Sequence, residues 1–563
     1  MAWERLDATL HPYHWDDREK YYRDYAYLAD LYERLLREVS ERLGALHATT
    51  ADVRHWRLIV GPWLRFFGDA LFDRFECVRT AAEGGGWQDT LVLRHDRPAW
   101  RATDFRHFFR QFTGDGWNHV AFASCVRAMG LPSTPGPADL APVPGHAPSP
   151  PGIRQIVRAA VDAGGRLLPP ALNGVVIVGA NLPKRRVFRL QAALGQAPYV
   201  KAPDVLPPAG HDTGPRRDLA VALGESVFER LLADLVQEWM PRAYVEDFAQ
   251  VLAMATARYP RRPKVIFTET SFQGEDGFNT WAARHVARGV PLVIGQHGGN
   301  MGLARVSQSE DHQIRAADVF ASWGWRSSHR PAVRPLPALR LVADEPDPPV
   351  RADGDILILM TSYPRYFYCH YAVPVAGQVL AYVLDQVRLV ELLGTDLAAA
   401  VKVRMDGDTF GWDTTQVFRE RGLAAMLEPV DGPLAQRLRS CRLAISTYNA
   451  TSLLETMAAD FPTVVVLNPH HFETRVAAAA DLDRLRAVGI LHATPESAAR
   501  HVRAVASDIP AWWGQGELQA VRRAFCDRYA RRSAQWTAEW VSLFRSLAAT
   551  SGHAVPTRAV DPS

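Results

Sequence analysis

"AISTYNATSLLETMAADFPTVVVLNPHHFE", residues 444–473, runs from an apolar stretch ending in Ser446 and Thr447, through a polar loop with Asn449, Thr451 and Ser452, into a helical pattern carrying Glu455. A second β-branched run, TVVV, follows. Strand, loop, helix and strand in that order describe one unit of a parallel α/β sheet. A helix N-terminus offers free N–H groups and partial positive charge, so Ser446, Thr447, Asn449, Thr451 and Ser452 are candidate phosphate contacts. Glu455, one to two turns in, is placed to accept hydrogen bonds from ribose hydroxyls. The competing reading is that Ser452, Thr451 or Asn449 simply caps the helix.

The same unit recurs upstream. GVVIVGA (174–180), PKVIFTETSF (263–272) and VPLVIGQHGG (290–299) read as strands, with helical patterns such as EDGFNTWAARHVARG among them. After the Pro-rich RPAVRPLPALRLVADEPDPPV (330–350), DILILMTS, AAAVKVRM, LAISTY and TVVVLNP alternate with helical stretches. The pattern predicts an α/β protein with two Rossmann-like domains facing a cleft, where ligands bind beyond the carboxyl ends of the strands.

Residues 18–46 place Tyr25, Leu28, Leu31, Leu35 and Val39 on one helical face, and RHWRLIVGPWLRFFGDALFDRFECV reads as a helix pair broken near Gly61-Pro62. The expected organisation is therefore a mainly helical N-terminal region over 1–130 and a Pro-rich loop over 131–152. A first Rossmann-like domain over 153–335, a second over 345–545 and a flexible tail over 546–563 complete it.

In GQHGG, Gln296, Gly298 and Gly299 form a candidate backbone loop, and His297 is placed to donate a proton or pair with a phosphate. A structural turn is the alternative. Glu269, Glu275 and Asp276 lie just upstream, and a carboxylate there suits a nucleophile or a general base. Glu275 and Asp276 are explained equally by favourable charge at a helix N-terminus. Arg404, closing AAAVKVRM beside Asp406 and Asp408, suits a phosphate or carboxylate, with a salt bridge as the plain alternative. The DGD run lacks the further ligands of a calcium loop, so no bound metal is expected. His11, His14, Asp16 and Asp17 cluster early, where an aromatic helix entry accounts for them better than zinc. Arg54 and Arg57 fit salt bridges better than an anion site.

Formal net charge is +3 over 563 residues, which gives no electrostatic case for nucleic acid. The 47% hydrophobic and 22% charged composition is that of a folded globular protein. Cys77, Cys125, Cys369, Cys441 and Cys526 form no C-x-x-C pair, which fits a reducing cytoplasm. No apolar run approaches the roughly 20 residues of a membrane span, so a membrane-linked substrate is met at the inner surface by peripheral contact.

HPYHWDDREKYYRDY, HWRLIVGPWL, VIGQHGGNMG, ASWGW, FGWD, STYNATSLLETMAADFPTVVV and VGILHATPESAARHV, spread from about residue 10 to about residue 505, together resemble a bacterial family of surface-polysaccharide (O-antigen) transferases. That family is similar to GT-B glycosyltransferases, including retaining enzymes that use CMP-activated ulosonic acids such as Kdo and pseudaminic acid. The resemblance implies a nucleotide-sugar donor, a glycan or lipid-linked glycan acceptor and no tightly bound cofactor. It places the nucleotide on Ser446–Glu455 and catalysis around Glu269, Glu275, Asp276 and His297, with retention through a covalent adduct. NPHHFE departs from the family pattern, so no role passes to His471, and the Pro-rich 131–152 is peculiar to this chain. An inverting enzyme with a UDP-, GDP- or CDP-linked donor, a polyol-phosphate transferase and a non-catalytic scaffold that binds nucleotide sugars are the alternatives.

Overall fold

The structure is a computed structural model that describes residues 10–144, 164, 168–197, 216–342, 346–405 and 410–551. Residues 145–152 of the expected Pro-rich loop, Asp406, Asp408 and residues 552–563 of the expected tail lie outside them.

Two parallel sheets form the body. The first holds β3 (Val175–Ile177), β4 (Val265–Thr268), β5 (Leu292–Gly295), β6 (Val319–Ser322) and β7 (Val333–Pro335) in sequence order. The second holds β8 (Asp355–Leu359), β9 (Val401–Arg404), β10 (Leu427–Glu428), β11 (Cys441–Ser446), β12 (Thr463–Val466) and β13 (Leu491–His492), ordered β10-β9-β8-β11-β12-β13. The order reverses between β8 and β11, and a crevice opens at such a point beyond the carboxyl ends of the strands. These two sheets with flanking helices make the GT-B-like α/β fold.

Ahead of them lie α1 (Arg18–Leu46), α2 (Val53–Ile59) and α3 (Gly61–Glu83). Asp17 caps α1 by accepting a hydrogen bond from the Lys20 amide, and Leu28, Leu31, Leu35 and Val39 are buried along one face. Pro62 stands in the first turn of α3, where its missing N–H costs nothing. A single apolar cluster joins Trp15, Trp63, Ile266, Ile358 and Phe525, so the helical region and both sheets share a core.

Residues of the first sheet alternate between two clusters. Val176, Ile266, Leu292 and Ile294 face the main core, whereas Val175, Ile177, Phe267 and Val293 face a second one. The helix Trp536–Thr550 completes that second layer. Trp540 and Phe544 meet Phe267 edge to face with ring centroids 5.1 and 5.6 Å away, and Trp540 Nε1 donates to the Pro337 carbonyl. This helix thus belongs with the first domain and cuts across the boundary expected at 545. Residues 546–550 are helix rather than tail because the sheet needs its second face covered.

The loop expected over 131–152 is also corrected in part. Thr134–Leu140 is a strand, β2, paired in parallel with β1 (Leu91–His95). A two-stranded ribbon is all edge, so Pro135 and Pro137 break no inner ladder.

Trp540→Ala should lower unfolding free energy by about 3–5 kcal/mol, the cost of deleting a fully buried aromatic. Denaturant titration against Val476→Ser, at a position 93% exposed, checks it; equal stability of the two variants would contradict the role given to the C-terminal helix.

Candidate functional site

The order reversal puts the ends of β8 and β11 side by side. Thr447 Oγ1 donates to the Leu359 carbonyl at 2.9 Å and lies 2.8 Å from the Tyr382 hydroxyl, which accepts from the Thr361 amide. Ser446 donates to the Tyr448 carbonyl and Ser452 to the Tyr448 hydroxyl. These three hydroxyls therefore hold the loop in shape and are withdrawn from the set of phosphate contacts. The capping alternative is also excluded, since the N-cap of the helix Thr451–Ala458 is Ala450 and no side chain caps it. Asn449 is 4% exposed and its Oδ1 is buried without a partner. Thr451, in the first turn, remains beside uncapped N–H groups.

The GQHGG loop meets this helix directly. A methyl group at Gly299 would fall 2.4 Å from the Ala450 carbonyl carbon and 2.7 Å from the Thr451 nitrogen, so only glycine permits the contact. Gln296 sets the loop's path: its Oε1 accepts from the Trp323 amide and Trp325 Nε1, and its Nε2 donates to the Gly298 carbonyl. His297 has a buried Nδ1 with no hydrogen-bond partner, and burial pushes its pKa down to about 4. At neutral pH it is an uncharged imidazole, able to donate or accept a hydrogen bond but not to serve as a standing countercharge for phosphate.

Of the acidic candidates, Glu269 is the one set at the end of a central strand with a shifted pKa. It follows β4, is 1% exposed and accepts a hydrogen bond from the Asn181 amide. Gly295 makes room for it, since a Cβ there would lie 2.8 Å from Glu269 Cγ. Burial raises its pKa to about 7, opposed by the Asn181 N–H and the charge of Arg340.

Asp276 instead binds the Phe105 amide at 3.0 Å and the Tyr244 hydroxyl at 2.8 Å, fastening the helix Asp276–Val286 to the helical region. Glu275 accepts from Ser271 Oγ and stands 3.6 Å from Arg106. Both expectations of a catalytic role are revised, because these carboxylates are committed to packing partners. Arg404 is likewise turned away: its guanidinium donates to the Gly432 carbonyl at 2.6 Å, a loop beyond β10.

Arg340, which lies in the Pro-rich stretch 330–350 and carries no motif, joins the two halves. Its Nε donates to Glu455 at 2.8 Å and its Nη1 reaches Asn181 Oδ1 at 3.3 Å. Glu455, Arg340, Asn181 and Glu269 thus form a continuous polar chain from the second domain to the first. A further tie is Glu310, fully buried, which accepts from the Gly302 amide and from Arg475 at 2.6 Å. No pattern in a single sequence marks these cross-domain partners.

Among the described residues, the groups spaced to hold a cation lie elsewhere, around the N-terminal helices: His14 with Asp73 and Cys77, and His14 with Asp24 and Glu76. Asp73 already meets Tyr13 and Arg74, and Lys20 bridges Asp24 and Glu76. Arg57 pairs with Glu33 and Arg54 with Asp318. Among the described residues no helix is long and apolar enough to cross a membrane.

A carboxyl whose folded pKa is raised contributes stability that is full below its unfolded pKa and lost as pH climbs to the folded value. Glu269→Gln should therefore match wild type in stability near pH 4 and exceed it by a few kcal/mol above pH 7, given the rise to about 7. Denaturant melts at pH 4.5, 6 and 8 check this; a difference that does not grow with pH would place Glu269 in a wetter setting.

Solved structures of similar shape include the pneumococcal O-GlcNAc transferase GtfA in complex with UDP and GlcNAc, at TM-score 0.32 and 9% identity over 50% of this chain. Only 56% of that enzyme's own length is covered. They also include the Thermobaculum terrenum O-GlcNAc transferase, at TM-score 0.35 and 12% identity over 94% of this chain and 99% of that one. S. aureus MnaA with UDP aligns at TM-score 0.36 and 12% identity over 66% and 96%. No curated protein matches the sequence. The LIC12162 family transferase description matches residues 1–544, and the chain belongs to that family.

Proposed function

We propose that this transferase moves a sugar from a nucleotide-sugar donor to a glycan or lipid-linked glycan acceptor of a bacterial surface polysaccharide, with a CMP-activated ulosonic acid as the donor. The observation that carries the reading is the junction after β11. A strand at the order reversal leads into a helix with no side-chain cap, facing a glycine loop of the other domain. Such a junction suits a phosphate. Thr451, the first-turn N–H groups and Asn449 take the phosphate, and Glu455 takes the ribose. Gly299 touches Ala450, so donor entry requires that loop to move off the helix. The donor class rests on the resemblance of the sequence motifs.

In the transfer, the bond from the anomeric carbon to the phosphate oxygen breaks and the nucleotide leaves with the electron pair. The acceptor oxygen forms the new bond and gives up its proton. Glu269 is assigned as the base that takes it, since a pKa near 7 balances ionised fraction against basicity. His297, neutral, hydrogen-bonds on the sugar side.

A thermal-shift panel of CMP, UDP and GDP tests the donor. Saturating CMP at about 100 times its dissociation constant should add about 2.7 kcal/mol of stability. A selective response to UDP or GDP would move the assignment to a donor carrying that nucleotide, and no response to any would overturn the nucleotide site itself. Glu269→Gln should keep nucleotide binding and lower turnover by about 10²- to 10⁴-fold; retained turnover would remove Glu269 from the chemistry.

A further inference from the structure

Arg340 sits on the short turn Leu339–Leu341 between the two sheets, and its side chain is 45% exposed while that of its partner Glu455 is 22% exposed. It is held from both sides, through Nε on Glu455 and Nη1 on the Asn181 side-chain oxygen, and the backbone amide of that same Asn181 binds Glu269. We propose that Arg340 is a positioning residue that couples donor binding to the charge on Glu269: ribose hydroxyls engaging Glu455 loosen the Nε contact, and the guanidinium shifts toward Asn181 and Glu269. The inference rests on the reading of Glu455 as a ribose contact and Glu269 as the base.

The surroundings of Glu269 favour this control. The loop after β3 supplies the Asn181 amide, β5 supplies Gly295 with no side chain, and the interdomain turn supplies Arg340. Among the described residues, Arg340 is the charged side chain acting on it. Glu275, on the following turn, is occupied by Ser271 and Arg106. A cation drawn closer favours the carboxylate, so the carboxyl loses its proton when the donor arrives. The base is then more fully ionised in the complex than in the free protein. With a pKa of about 7 the carboxyl is half protonated at pH 7, so the release is at most about half a proton.

Calorimetric titration with CMP and with UDP, at pH 7 in two buffers of different ionisation enthalpy, reads this release directly. The nucleotide's own phosphate titration is common to all variants, so the readout is the difference from Glu269→Gln. Wild type should release up to about half a proton more than Glu269→Gln, Arg340→Gln should show no excess, and Arg340→Lys should restore part of it. Equal release by wild type and Glu269→Gln, or an undiminished excess in Arg340→Gln, would overturn the coupling while leaving the nucleotide site in place. Failure of wild type to bind either nucleotide would overturn both the coupling and the reading beneath it.

Discussion

Everything at the centre of this protein depends on one seam, closed by the ion pair of Glu310 with Arg475. Glu310 is fully buried and holds the Gly302 amide with one oxygen and Arg475 with the other. Around it, Ala304 and Thr474 form an antiparallel bridge, Arg305 donates its amide to the Glu473 carbonyl, and Arg475 donates its own to Leu303. Arg18 of α1 then binds Glu473 through two nitrogens. Arg330 stands 3.5 Å from the Glu310 oxygen that Arg475 binds, so this buried carboxylate is held between two guanidinium groups and a backbone amide.

The two sheets contribute unequally. The second reverses its order between β8 and β11, and Thr447 and the Tyr382 hydroxyl meet at the ends of those two strands. The first runs in one direction from β3 to β7 and has no such reversal among its described strands. Its contribution comes instead from the loops at its carboxyl edge, which place Asn181, Glu269 and His297. In the proposed function, nucleotide recognition and proton transfer fall to different domains, and Arg340 lies on the turn between them.

Much of this was legible in the chain. The runs at 175–177, 265–268, 292–295, 355–359 and 463–466 are apolar enough on both faces to read as buried parallel strands, and Val401–Arg404 follows from its alternating valines. Short edge strands such as Leu427–Glu428 and Leu491–His492 carry no pattern of their own, and β2 is hidden by its prolines. Residue roles were harder. Asp276 reads as a helix-start acid and as a catalytic acid with equal ease, because what decides between them is the Phe105 amide, 171 positions away. Ser446 and Thr447 look like phosphate ligands until the Leu359 carbonyl and Tyr448 are seen to engage them. Arg340 carried no signal, since its partners at 181 and 455 are brought to it only by the closed seam.

The central claim is that the start of the helix Thr451–Ala458 and the glycine loop are two sides of one nucleotide site. A crystal structure of the whole chain soaked with CMP tests it most directly. The account predicts phosphate density on the first-turn N–H groups, ribose hydroxyls on Glu455 and a Gly299 backbone withdrawn from Ala450. Nucleotide bound away from that turn, with the Gly299 contact still closed, would contradict it.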